Sequence, residues 1–187
     1  DLLQVVVAGR ELLAIDAEGG GETPTRLNLD ERVLLTQSRG RVGVVLTDQR
    51  VLAVGVRSGA WQDARYLRGE SRPHQALLGD RVALVATDRR VLGFDGGSNN
   101  LVEQSLGPRE QLLRTGVSAN LAVAVTDRRA LALSPFVGGF FEFPLRLGES
   151  IERLVASSDV ATVTTSQRLI IFRGRAGVWS ERRLGLR

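Results

Sequence analysis

The sequence predicts an all-β chain built from five tandem copies of one four-stranded antiparallel unit, and three recurring features carry that expectation. The first is Thr47-Asp48-Gln49-Arg50-Val51-Leu52, which returns as Thr87-Asp88-Arg89-Arg90-Val91-Leu92 and as Thr126-Asp127-Arg128-Arg129-Ala130-Leu131. Weaker copies, Thr165-Ser166-Gln167-Arg168 and Ala8-Gly9-Arg10-Glu11, fall in register, since starts at 8, 47, 87, 126 and 165 are 39, 40, 39 and 39 residues apart. The second is Leu27, Leu67, Leu106, Leu145 and Leu184 on the same period, and the third an acid close behind, at Asp30, Glu70, Glu110 and Glu149. A fixed period in this range is the signature of a repeat architecture. It divides the chain into units 1–29, 30–69, 70–109, 110–148 and 149–187.

Each element follows from short apolar runs between turn signals. The first unit begins at its second strand, Leu2 to Ala8, so its inner strand is missing. Gly19-Gly20-Gly21 then makes a flexible tip between its third and fourth strands. In the second and third units, Val42 to Leu46 and Val82 to Ala86 are continuous apolar runs without alternation, as in strands covered on both faces. The fourth unit shows all four segments: Gln111 to Val117, Leu121 to Thr126, Arg129 to Leu133 and Phe140 to Leu145. The fifth repeats them. Between second and third strands, Thr-Asp-x-Arg supplies a tight hairpin, with Asp bonding its own backbone and tolerating positive φ; Gly9 serves in the first unit.

Units of about 40 residues with four strands, unable to bury both faces alone, resemble the blades of a β-propeller. The resemblance spans the whole chain and implies a five-bladed propeller whose first blade lacks its inner strand. It implies architecture alone, because no Trp-Asp dipeptide or kelch glycine pair marks a particular family. Propellers usually close by completing one blade from both chain ends, so about ten further residues are expected before Asp1 or after Arg187.

Composition narrows function chiefly by exclusion. Hydrophobic residues at 43% and charged residues at 25% suit a globular domain and are too apolar for a disordered one. All 25 basic residues are Arg, a usage that fits a GC-rich bacterial coding bias better than an electrostatic design. With 21 acids interspersed there is no clustered basic face, so nucleic acid is not expected as a partner. Absence of Cys removes disulfides, thiolate metal sites and thiol catalysis, and leaves the compartment open. No apolar run is long enough for a transmembrane segment, and no phosphate loop, dinucleotide glycine pattern, nucleophile elbow or calcium loop is present. No cofactor or metal is expected.

Four sets of residues are candidates for chemistry. Arg50, Arg90, Arg129 and Arg168 recur as a possible ring of anion sites, or as turn residues paired with the Asp beside them. Large side chains open the fourth strand with an acid two residues on: Trp61 with Asp63, Leu101 with Glu103, Phe140 with Glu142, and Trp179 with Glu181. A Trp beside a carboxylate suits a sugar, the indole stacking on its face and the acid accepting its hydroxyls, so Trp61, Asp63, Trp179 and Glu181 are the candidate ligand-binding residues. His74 breaks the symmetry, on an inner strand expected to face the central channel, but it has no neighbouring ligand set. Glu31, Glu110 and Glu152 are the acids beside inner strands that a glycosidase would need. The expected role is a non-enzymatic platform presenting a face or interblade clefts to a protein partner. The alternative is a multi-site carbohydrate-binding lectin resembling the five-bladed tachylectin type, and a glycosidase-like enzyme ranks third.

Overall fold

The computed structural model describes residues 2–56, 58–136 and 138–185, so residue 1 and the last two residues of the fifth unit lie outside the described residues. The first sheet holds β1 (Leu3–Ala8), β2 (Glu11–Asp16) and β3 (Glu22–Arg26). The second holds β4 (Val33–Arg39), β5 (Val42–Thr47), β6 (Arg50–Gly55) and β7 (Gln62–Arg65); the third, β8 (Leu77–Leu78), β9 (Val82–Ala86), β10 (Arg90–Asp95) and β11 (Asn100–Ser105). The fourth comprises β12 (Leu112–Val117), β13 (Ala122–Thr126), β14 (Arg129–Leu133) and β15 (Phe140–Pro144). The fifth comprises β16 (Ile151–Ser157), β17 (Val160–Thr165), β18 (Arg168–Arg173) and β19 (Val178–Arg183). Every sheet is an antiparallel meander in chain order, and the first has three strands. This is a five-bladed β-propeller with one blade short of its inner strand.

Core residues sit between sheets. Leu12 and Val5 meet Val45 and Leu52 between the first two blades, and Val44 and Ala53 meet Val85 and Phe94 between the second and third. Leu84 and Val91 meet Ala124 and Leu131 next, and Val123 and Ala132 meet Val163 and Phe172 last. Each blade thus hides its apolar faces only by stacking, which explains the unbroken runs in β5 and β13, where every residue is buried. The fifth blade differs: β17 alternates, with Ala161 and Val163 buried against the fourth blade and Val160 exposed. Among the described residues no buried cluster joins the fifth blade to the first.

Blades also touch backbone to backbone along one rim. The N–H groups of Leu2, Arg41 and Arg81 donate to Gly40, Asp80 and Ala119, passing from the turn of one blade to the turn of the next. The approach leaves no room for a side chain: a Cβ on Gly79 would lie 1.9 Å from the Ser118 carbonyl oxygen.

Two local expectations need correction. The third blade's inner strand is only Leu77–Leu78, and exposed His74 precedes it in irregular chain. Pro73 explains this, having no N–H to donate and holding Arg72 out of regular pairing. In the hairpins, Thr rather than Asp closes the turn: Thr47 Oγ1 accepts the N–H of Gln49 and of Arg50, at 3.1 and 2.9 Å. The Asp instead ties the turn to the start of the inner strand, Asp48 accepting the Arg32 N–H at 2.9 Å and Asp127 that of Gln111 at 2.9 Å. Neither Asp has positive φ; in the first blade Gly9 does, at 63°.

Candidate functional site

The antiparallel meander puts the loops between second and third strands on the same rim as the connections between blades. That rim carries the repeating polar residues, and they form one device four times over. Glu31, Glu70, Glu110 and Glu149 lie in the interblade connections with carboxylates at most 2% exposed. Each is gripped by the Arg that follows its Thr. Arg90 Nε and Nη2 donate to Glu70 at 2.9 and 3.1 Å, and Arg129 holds Glu110 at the same two distances. The Thr hydroxyls donate to the same carboxylates, Thr87 to Glu70 at 2.6 Å and Thr126 to Glu110 at 2.8 Å. A backbone N–H completes each set, from Asn28, Leu67, Gly107 and Arg146.

The arginines face a second way. Arg50, Arg129 and Arg168 donate through Nη2 to the carbonyls of Arg26, Ser105 and Pro144, the last outer-strand residues of the preceding blades. Their Nη1 groups reach their own outer strands, at Asp63 (3.3 Å), Glu142 (2.7 Å) and Glu181. Each Arg is therefore a three-way clamp between an interblade loop, the previous blade and its own blade. The expected pairing with the turn Asp is not what forms; the partner lies about 20 residues upstream. The register acid of the second unit is likewise Glu31, not the exposed Asp30.

Electrostatics follow from this geometry. Burial pushes the four glutamates' pKa values up, but the hydrogen bonds from Arg, Thr and backbone N–H outweigh it and hold all four below the ordinary value, Glu149 at about 2.

The aromatic–acid pairs belong to the same joints. Trp61 Nε1 donates to the Thr23 carbonyl of the preceding outer strand at 2.8 Å, and Trp179 Nε1 to Phe141 at 2.9 Å. Trp179 also lies 4.9 Å from Phe172 and 5.9 Å from Phe143, centroid to centroid. Asp63 and Glu181 are the acids already bonded to Arg50 and Arg168. The structure thus brings together two candidate sets, the arginines and the aromatic–acid pairs, that the sequence treated separately. His74 stands apart from both. Glu31 and Glu110 are clamp carboxylates, whereas Glu152 is exposed on β16.

A cavity of about 660 Å³ is lined by the inner strands of the second, third and fourth blades, with Thr36, Ser38, Leu77 and Thr115 on its wall. Among the described residues no three His, Cys, Asp or Glu side chains converge as a metal set, and no helix is long and apolar enough to cross a membrane.

At the opposite rim, formed by the turns between first and second and between third and fourth strands, two depressions of about 710 and 400 Å³ adjoin. Arg41 and Arg81 line both. Neither was a candidate from the sequence, yet a signal existed: the position six residues before Ala8 in the first blade and before the hairpin Thr in the other four reads Leu2, Arg41, Arg81, Asn120 and Asp159 around the ring. Asn120 and Asp159 satisfy each other at 2.7 Å, and Arg175 closes on Asp159 at 2.7 Å.

The sheets and their stacking define the class as a β-propeller repeat protein. No protein-family model matches the chain, and no curated protein matches its sequence. Solved structures that it resembles include the N-terminal domain of Nup159, at 12% identity and TM-score 0.38 over 98% of this chain and 58% of that one. Another is Prp20p from Saccharomyces cerevisiae, at 12% identity and TM-score 0.42, covering 91% and 56%. A third is PorZ of Porphyromonas gingivalis, at 12% identity and TM-score 0.46, covering 98% and 26%. The chain spans little more than half the length of the first two.

Proposed function

We propose that this propeller is a non-enzymatic binding platform that presents the turn rim to a protein partner. One observation carries the reading: the repeated polar residues of the clamp rim are consumed in holding blades together, while the turn rim keeps concave surface lined by Arg41 and Arg81, whose side chains make no ion pair or hydrogen bond among the described residues. Fixed turns on stacked sheets give a rigid base, and a rigid surface loses little entropy on binding. The carbohydrate reading ranks second, because the indole N–H groups and carboxylates it needs already have partners within the propeller.

The test is site-specific photo-crosslinking, since a chain without lysine offers no side chain to amine-directed reagents. A photoreactive residue at Ala119 or Ser98 is expected to capture a protein partner that the same residue at Arg109, on the clamp rim, does not. Capture only from Arg109, or turnover of a substrate that depends on a single acid, overturns the proposal. Glycan binding lost in Trp61→Ala and Trp179→Ala replaces it with the lectin.

A further inference from the structure

Arg41 and Arg81 stand side by side on the turn rim, lining both of its depressions. Neither side chain makes an ion pair or hydrogen bond among the described residues, in contrast to Arg39, which lies 3.7 Å from Asp80, and to Arg175 on Asp159. Arg81 is held in place all the same. Its Nε is buried without an acceptor, and its guanidinium lies 5.7 Å from the ring centroid of Phe136, on which Arg175 also stacks at 5.3 Å. A buried polar atom with no partner in an otherwise satisfied structure requires an explanation. Here the guanidinium is positioned by packing on Phe136 and by the nearby charge of Asp159, with no acceptor on its Nε, so it keeps donors for a ligand.

We infer that Arg41 and Arg81 form a carboxylate receptor for an acidic segment of a protein partner, with Phe136 as the apolar shelf beside it. The inference rests on the platform reading and names the chemistry of its partner. Guanidinium forks suit planar oxyanions, and a fork immobilised beforehand loses less freedom on binding. Phe136 is 37% exposed next to that charge and offers contact area that a bare anion does not use. A nucleic acid duplex fits less well: its rigidly spaced phosphates would run onto Asp80, Asp159 and Glu18 on the same rim, whereas a flexible acidic peptide can turn its other side chains away from them. An acidic side chain needs only the two cations.

The experiment is a fluorescence-anisotropy titration of the whole chain with a labelled hexaglutamate peptide at low salt. A hexaglutamine peptide, inorganic phosphate and a DNA duplex serve as comparison probes. Hexaglutamate is expected to bind and hexaglutamine not. Arg41→Gln/Arg81→Gln is expected to weaken binding at least tenfold, while Arg68→Gln, which removes the same single charge as Arg41→Gln but from the exposed clamp-rim surface, leaves it within twofold. Arg41 is exposed, so Arg41→Gln alone keeps the fold and is expected to cost at least threefold. Equal loss in Arg68→Gln, no binding of hexaglutamate, or tighter Arg41- and Arg81-dependent binding of duplex or phosphate overturns the inference. If it fails while crosslinking from Ala119 still captures a partner, the platform stands and only the partner's chemistry is wrong.

Discussion

The two rims of this propeller use arginine in opposite ways. On the clamp rim Arg90 is 5% exposed and spends its donors on Glu70, Glu103 and the carbonyl of Arg65. On the turn rim the side chains of Arg41 and Arg81 make no hydrogen bond or ion pair among the described residues, and Arg81 only stacks on Phe136. Recurrence accounts for the difference: a joint made four times is copied four times, whereas a binding site needs to occur once. Symmetric charge in a repeat protein therefore reads first as joinery, and departures from symmetry mark candidate recognition surfaces.

The largest effect should come from breaking one clamp. Glu70→Ala leaves Arg90 buried without its main counter-charge, and removing one partner of a buried pair costs about 3–5 kcal/mol. For a chain of this size that lowers Tm by roughly 10 °C, measurable by thermal unfolding. The first blade supplies the internal control. It has Ala8 and Glu11 where the others have Thr and Arg, and exposed Glu11 makes no clamp. Glu11→Ala should stay within about 0.5 kcal/mol.

Next is the backbone contact between turns. Gly79→Ala forces a Cβ onto the Ser118 carbonyl and should cost about 1–3 kcal/mol through the shift it demands. Gly138→Ala, a turn glycine with open space around it, probes φ alone, at 66°, and should cost about 1 kcal/mol.

Acid provides a graded version of the clamp test. The four glutamates have pKa values held below the ordinary one, so the stability they give is fully present above about pH 4.5. It is lost as pH falls through their folded values, which for Glu149 means toward about pH 2. Denaturant midpoints should fall between those limits, and Glu149→Gln should flatten the slope.

The smallest effect has the opposite sign. Burial pushes the Tyr66 pKa up to about 12, and its hydroxyl has no partner. Tyr66→Phe removes that unsatisfied group and should stabilise the chain by up to about 1 kcal/mol.

The period, the five units and the short first blade were legible because turn chemistry and apolar runs are local. Thr47, Thr87, Thr126 and Thr165 mark the hairpins whatever surrounds them. The clamps were half legible: the recurring acids and arginines were visible, but not that they meet, because their side chains come together across an interblade connection. The indoles of Trp61 and Trp179 were harder still, since strand alternation does not say whether a face meets solvent or the neighbouring blade. Arg41 and Arg81 were hidden by composition, two arginines among 25. Only the ring position they share with Leu2, Asn120 and Asp159 distinguishes them.

The most direct test of this division of labour measures melting and hexaglutamate affinity on the same two variants, Glu110→Gln and Arg41→Gln/Arg81→Gln. The account predicts that the first lowers Tm and keeps its affinity at temperatures where it is folded, while the second loses affinity and keeps its Tm within a few degrees. Loss of affinity in folded Glu110→Gln, or unchanged affinity in the arginine variant, would contradict it.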